Sequence, residues 1–74
     1  MIDPELSVVV PVFNEEQILP EFAKVLTETL APMGLLYEII FVNDGSSDGT
    51  ARGLDSLRQK DVRVKVIEFS RNFG

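Results

Sequence analysis

The stretch FVNDGSSDGTARGLD, residues 41–55, decides how the chain folds. Asp44, Ser46, Asp48, Gly49 and Asp55 have the spacing of a calcium-binding loop set between two helices. The same residues also read as the exit of a buried strand, followed by a turn and a helix start. The two readings differ in what must precede Asp44. A calcium loop is entered from a helix, whereas YEIIFVN, residues 37–43, is a β-branched and aromatic run too short for one. Ala51 stands where the calcium loop wants a larger aliphatic, and Asp55 is a short substitute for the closing glutamate. The strand reading therefore holds.

Two further runs resemble it. LSVVVPVF, residues 6–13, is nearly continuous in apolar character, as is 37–43, and both suit strands covered on both faces. VRVKVIEFS, residues 62–70, alternates Val62, Val64 and Val66 with Arg63 and Lys65, which suits a strand with one wetter face. Between the first two runs, Ile18, Leu19, Phe22, Val25, Leu26 and Leu30 recur at helical spacing over residues 16–31. Pro20 is tolerated in the first turn, Glu15, Glu16 and Glu21 suit the positive end of the dipole, and Gly34 supplies a left-handed cap. Asn14 and Gln17 have the spacing of a reciprocal cap. A second helix is expected from Gly49 to Gln59, with Ala51, Leu54 and Leu57 inward and Ser47 or Asp48 as its cap.

The resulting fold class is α/β: a three-layer βαβαβ unit with a parallel sheet and right-handed crossovers. Ligands of such sheets bind at the carboxyl ends of the strands. Three polar loops meet there: FNEE, NDGSSDG and SRNFG. The chain of 74 residues stops just past the third strand, so it reads as the N-terminal part, residues 1–74, of one larger domain that continues further. In the usual strand order the first strand is central, so this piece is expected to self-associate through that strand's exposed edge.

Composition narrows the chemistry. There is no cysteine and no histidine, which excludes disulfides, thiolate chemistry, Cys or His metal sites and a Ser-His-Asp triad. The net charge of −5 argues against a nucleic-acid partner. No apolar run approaches the roughly 20 residues of a membrane span, and MIDPEL lacks a signal-peptide start, so a cytoplasmic location is expected. No glycine follows the first strand, so the dinucleotide fingerprint fails, and no P-loop is present.

At the strand ends, Asp44 offers a carboxylate to the N–H groups of uracil or guanine, and equally to an Asx-turn. Ser46 and the N–H groups near Gly45 suit a ribose or that carboxylate. Phe13 is either a ring for a base or a core residue. Arg71 is either a phosphate ligand or half of a surface ion pair. Glu15 and Glu16 read most simply as a solvated helix start.

SVVVPVFNEE, YEIIFVNDGSSDGT and VKVIEFSRNFG, in this order, resemble the start of the family 2 glycosyltransferases. The closing FSRNFG is similar to the branch acting on polyprenyl phosphates, which includes dolichyl-phosphate mannose synthases and bactoprenol glucosyltransferases. The resemblance implies a Rossmann-like GT-A fold and a UDP- or GDP-sugar donor. It also implies a polyprenyl phosphate acceptor, an inverting transfer, and Mg2+ or Mn2+ held by a downstream Asp-x-Asp motif. It assigns Pro11, Phe13, Asn14, Glu15, Asp44, Ser46 and Arg71 to the nucleotide sugar, with Gly74 at the start of the segment leading to the pyrophosphate. Phe13 stands where Tyr is common, and Asn43 replaces the first acid of an Asp-Asp-Gly-Ser motif. No catalytic residue and no metal ligand is assigned within residues 1–74, so this piece alone is expected to be inert. The parent is expected on the cytoplasmic side, attached to the plasma membrane by C-terminal segments. The alternative class is a non-catalytic α/β fragment that binds a nucleotide or a protein.

Overall fold

A computed structural model describes residues 3–45 and 49–69. Its elements are β1 (Leu6–Val12), α1 (Leu19–Leu30), a 3-10 turn (Ala31–Met33), β2 (Tyr37–Asp44), α2 (Thr50–Lys60) and β3 (Val64–Phe69). The three strands form one parallel sheet in the order β1-β2-β3. β2 is therefore paired on both sides, Leu6 with Tyr37 through Val12 with Asn43, and Ile39 with Val64 through Asp44 with Phe69.

Alternation along each strand separates two faces. On one, Val12, Tyr37, Ile39, Phe41 and Val64 pack with Leu19 and Leu30 of α1 and Leu54 of α2 into a single core cluster. Phe41 is completely buried, and the Phe22 ring meets it edge-on at 6.5 Å between centroids. Two successive crossovers of the same hand toward the same side leave both helices on that face. The described residues accordingly make two layers, a sheet and a helix layer, and the third layer expected from the sequence is not among them. The other face carries Val9, 61% exposed, with Ile67 and Phe69 also exposed. The apolar continuity of residues 6–13 thus marks two-sided burial that this stretch alone does not supply.

Several local expectations shift. α1 starts at Leu19 rather than at residue 16, with Pro20 in its first turn and Ile18 at the cap. Its cap position has no side-chain hydrogen bond, so the expected Asn14–Gln17 cap does not form there, and only Glu21 of the three acids lies in the first turn. Ile18 and Val25 are exposed, not inward. Gly34 does adopt the left-handed conformation, closing the 3-10 turn. In α2, Leu54 is buried and Ala51 and Leu57 are half-buried, as expected. Its cap position falls on Gly49, while Ser47 and Asp48 lie outside the described residues. β3 begins at Val64, not Val62, because Asp61 makes a turn: its side chain accepts from the Arg63 N–H at 2.9 Å and its carbonyl from the Val64 N–H at 3.1 Å.

At the amino end of the open face, Glu38 accepts from Lys65 Nζ at 2.7 Å and from the Ser7 hydroxyl, joining all three strands. The Lys65 ammonium, then the Ser7 hydroxyl, hold the Glu38 carboxyl below its ordinary value of 4.5. Truncation of Phe41 to alanine is expected to cost about 3–5 kcal/mol. That rivals the whole stability of a chain this size at roughly 0.05–0.15 kcal/mol per residue. Urea unfolding followed by circular dichroism should show the cooperative transition lost or moved close to zero denaturant. Glu38 gives a pH signature. Its carboxyl is more acidic folded than unfolded, so its contribution is fully present above the unfolded value and disappears as pH falls through the folded one. Glu38→Gln should flatten the acid side of the plot of urea midpoint against pH. An unchanged acid limb would contradict the assignment.

Candidate functional site

Parallel pairing brings the strand exits to one rim. β1 ends at Val12 beside Asn43, and Asp44 lies beside Phe69 at the end of β3. Asn43 points to the helix side and is only 4% exposed, whereas Asp44 follows Val42 onto the open face and is half-buried. No buried side-chain nitrogen or oxygen among the described residues lacks a hydrogen-bond partner. After Asp44 the chain turns through Gly45, whose φ of +71° is the left-handed conformation that glycine adopts without a Cβ penalty.

The loop after β1 supplies the neighbouring wall. Pro11 is exposed on the open face of the strand. Phe13 is 53% exposed, so among the described residues it is not part of the core. Asn14 holds a φ of +50°, a conformation that asparagine tolerates better than most side chains. This reversal turns the chain so that Glu15 folds back, its carboxylate accepting from the Phe13 N–H at 3.3 Å. A hollow of about 460 Å³ runs along Asn14 to Ile18. A more apolar cleft of about 430 Å³ lies between α1 and α2, lined by Ala23, Ile39, Leu57 and Val64. It flanks the opening residues of β2 and β3, away from the strand exits, and has none of the rim's polar groups.

Of the residues singled out from sequence, the structure brings Pro11, Phe13, Asn14, Glu15 and Asp44 to this rim. Ser46, Arg71 and Gly74 lie outside the described residues. The calcium reading finds no support in the geometry. Asp44 ends a strand, and Asp55 sits within α2, engaged by Arg58 and by Gln59 Nε2 at 2.9 Å. Among the described residues no three His, Cys, Asp or Glu side chains cluster to hold a metal.

Two contacts at the rim escaped the sequence reading. Thr50, fully buried at the start of α2, accepts from the Glu15 N–H at 2.9 Å through its hydroxyl oxygen. The Glu16 carboxylate accepts from the Gly49 N–H, also at 2.9 Å. Glu16 is therefore not simply the solvated start of its own helix; it serves the start of the next one. A Cβ on residue 49 would lie within 3 Å of that carboxylate, which would have to swing away. The nearest signal in the sequence is the Gly-Thr pair opening α2, which does not reveal its partners 33 and 35 residues earlier.

Residues 7–74 match the family model for glycosyl transferase family 2. An uncharacterized glycosyltransferase of Synechocystis sp. is 46% identical over 70 residues, covering 95% of this chain and 22% of its own length. The prophage bactoprenol glucosyl transferase homolog of Escherichia coli is 43% identical over 70 residues, covering 95% and 23%. The undecaprenyl-phosphate 4-deoxy-4-formamido-L-arabinose transferase of Klebsiella pneumoniae is 38% identical over 71 residues, covering 95% and 22%. The chain thus spans less than a quarter of the length of these curated relatives. In fold it is similar to a mannosyltransferase from Pyrobaculum calidifontis, solved with GDP-mannose and Mn2+. The TM-score is 0.76 at 22% identity, over 100% of this chain and 22% of that one. With nearly its whole length matched by the family model, the chain belongs to glycosyl transferase family 2.

Proposed function

We propose that this rim is the donor-nucleoside half of a nucleotide-sugar site. The protein carrying it would transfer a sugar from a UDP- or GDP-sugar to a polyprenyl phosphate, with inversion. One observation carries the reading: an exposed aromatic ring, Phe13, and a carboxylate, Asp44, stand at the exits of two paired strands. A base stacks on the first and donates N–H groups to the second. Pro11, Asn14 and Glu15 shape the wall beside them. Ser46 and Arg71 join the site on the family resemblance.

The names of the E. coli and K. pneumoniae relatives support a polyprenyl-phosphate acceptor. The P. calidifontis structure supports a nucleotide-sugar donor with a divalent metal, Mg2+ or Mn2+ in our reading. Among the described residues no cluster of His, Cys, Asp or Glu side chains is fit to hold that metal. No helix among the described residues is long and apolar enough to cross a membrane. Attachment to the cytoplasmic side of the plasma membrane, through segments that this chain does not contain, is part of the same proposal.

Among the described residues β1 pairs only with β2, and Val9 is exposed on its open face, which supports self-association of this chain through that strand. Light scattering at rising concentration should give a mass above the 8.3 kDa of one chain. A monomer throughout would count against it. The donor site is tested by calorimetric titration of the chain with UDP and with GDP. Asp44→Ala should weaken whichever nucleotide binds by about tenfold or more, the range of a hydrogen bond to a charged group. Affinity unaltered by the substitution would remove Asp44 from the site.

A further inference from the structure

The loop after β1 and the start of α2 are fastened by two adjacent contacts. Glu15 donates its backbone N–H to the Thr50 hydroxyl oxygen, and Glu16 accepts from the Gly49 N–H, each at 2.9 Å. The two contacts run in opposite senses, donor to acceptor and acceptor to donor, so they fix direction as well as distance. Thr50 is fully buried, and the Glu16 carboxylate occupies the space that a Cβ on residue 49 would take. Glu16 itself is exposed. A long, acidic side chain at the surface is ordinarily free to sample many rotamers, and ordering it has an entropic cost. Here an N–H at the start of α2 holds it, where the dipole favours a negative charge.

We propose that Glu16 is a positioning residue for the donor nucleoside, acting through Gly49. Its carboxylate ties the start of α2 to the segment that carries Phe13 and Asn14. Asp44 and Gly49 are the two described ends of the connection between β2 and α2. β2 fixes Asp44 through the sheet, and Glu16 fixes Gly49 to the loop after β1. The loop carrying Phe13 and Asn14 is then held against the start of α2 before any ligand arrives, which lowers the ordering cost of binding. This rests on the donor-site reading above, and Glu16 itself touches no ligand in it.

The test combines Glu16→Gln, Glu16→Ala, Gly49→Ala and the double variant Glu16→Ala/Gly49→Ala. Two readouts are taken: amide hydrogen exchange at Gly49 and Thr50 without nucleotide, and UDP and GDP affinity by calorimetry. Glutamine keeps an acceptor oxygen in place, so Glu16→Gln should keep Gly49 protected and affinity within about twofold of the parent. Glu16→Ala should expose the Gly49 amide to exchange and weaken the nucleotide by about tenfold. Gly49→Ala should do the same by expelling the carboxylate, and the double variant should be no worse than either single one, because both remove one contact. Circular dichroism of each variant establishes that the helices remain. Unchanged Gly49 exchange in Glu16→Ala overturns the contact. Lost protection with unchanged affinity overturns the positioning role. If the parent chain binds neither nucleotide, the donor-site reading fails and the positioning role with it. Gly49 exchange then still shows that the contact itself stands.

Discussion

The structure depends on β2 being hydrogen-bonded on both sides in parallel register. That strand carries the fully buried Phe41, and its flanks set where β1 and β3 must end. Because all three strands run the same way, their carboxyl ends fall on one rim, and every candidate group of the site inherits its place from that register. A slip of one residue would send Asp44 to the helix side and Asn43 to the open face, exchanging a charge for an amide where a base would meet it. The buried position of Asn43 gives a physical reason for the amide. An unpaired charge in that setting, beneath two helices, would be costly, whereas an amide is readily satisfied.

Much of this was legible from residues 6 to 69, because strand and helix periodicity are local. The β-branched runs are strands, Leu19, Leu30 and Leu54 face the core, and Gly34 caps where its type predicts. The errors have two sources. Val62 and Val25 are apolar yet exposed, since alternation and helical spacing do not say which positions find a partner within this stretch. Helical spacing puts the start of α1 too early, because Glu16 reads as a first-turn acid. Its carboxylate is instead used by α2, and a contact across 33 residues leaves no periodic trace.

The open face of the sheet divides into two halves of different character. Toward the amino end, Ser7, Glu38 and Lys65 form a hydrogen-bonded polar row across the three strands. Toward the carboxyl end, Pro11, Val42, Ile67 and Phe69 leave an apolar floor leading to Asp44 and Phe13 at the rim. The two halves follow from the alternation of each strand: the polar row lies one residue inside the strand starts, and the apolar side chains follow toward the exits.

The charges at the rim point the same way. Two parallel crossovers bring two helix starts to the rim, and helix starts attract anions. One of those at α2, the Gly49 N–H, is already taken by the Glu16 carboxylate, and Glu15 and Asp44 add two further acids nearby. A diphosphate approaching α2 along its axis would meet this negative charge. Among the cations elsewhere, Lys65 is held by Glu38, Arg58 by Asp55 and Arg63 by Asp61, so none of these three offsets it. On the donor-site reading proposed above, the neutral, N–H-bearing end of a nucleotide is the end that would meet this rim. On that proposal, the acids beside α2 would disfavour phosphates there, and repulsion at one end would orient the donor as much as attraction at the other.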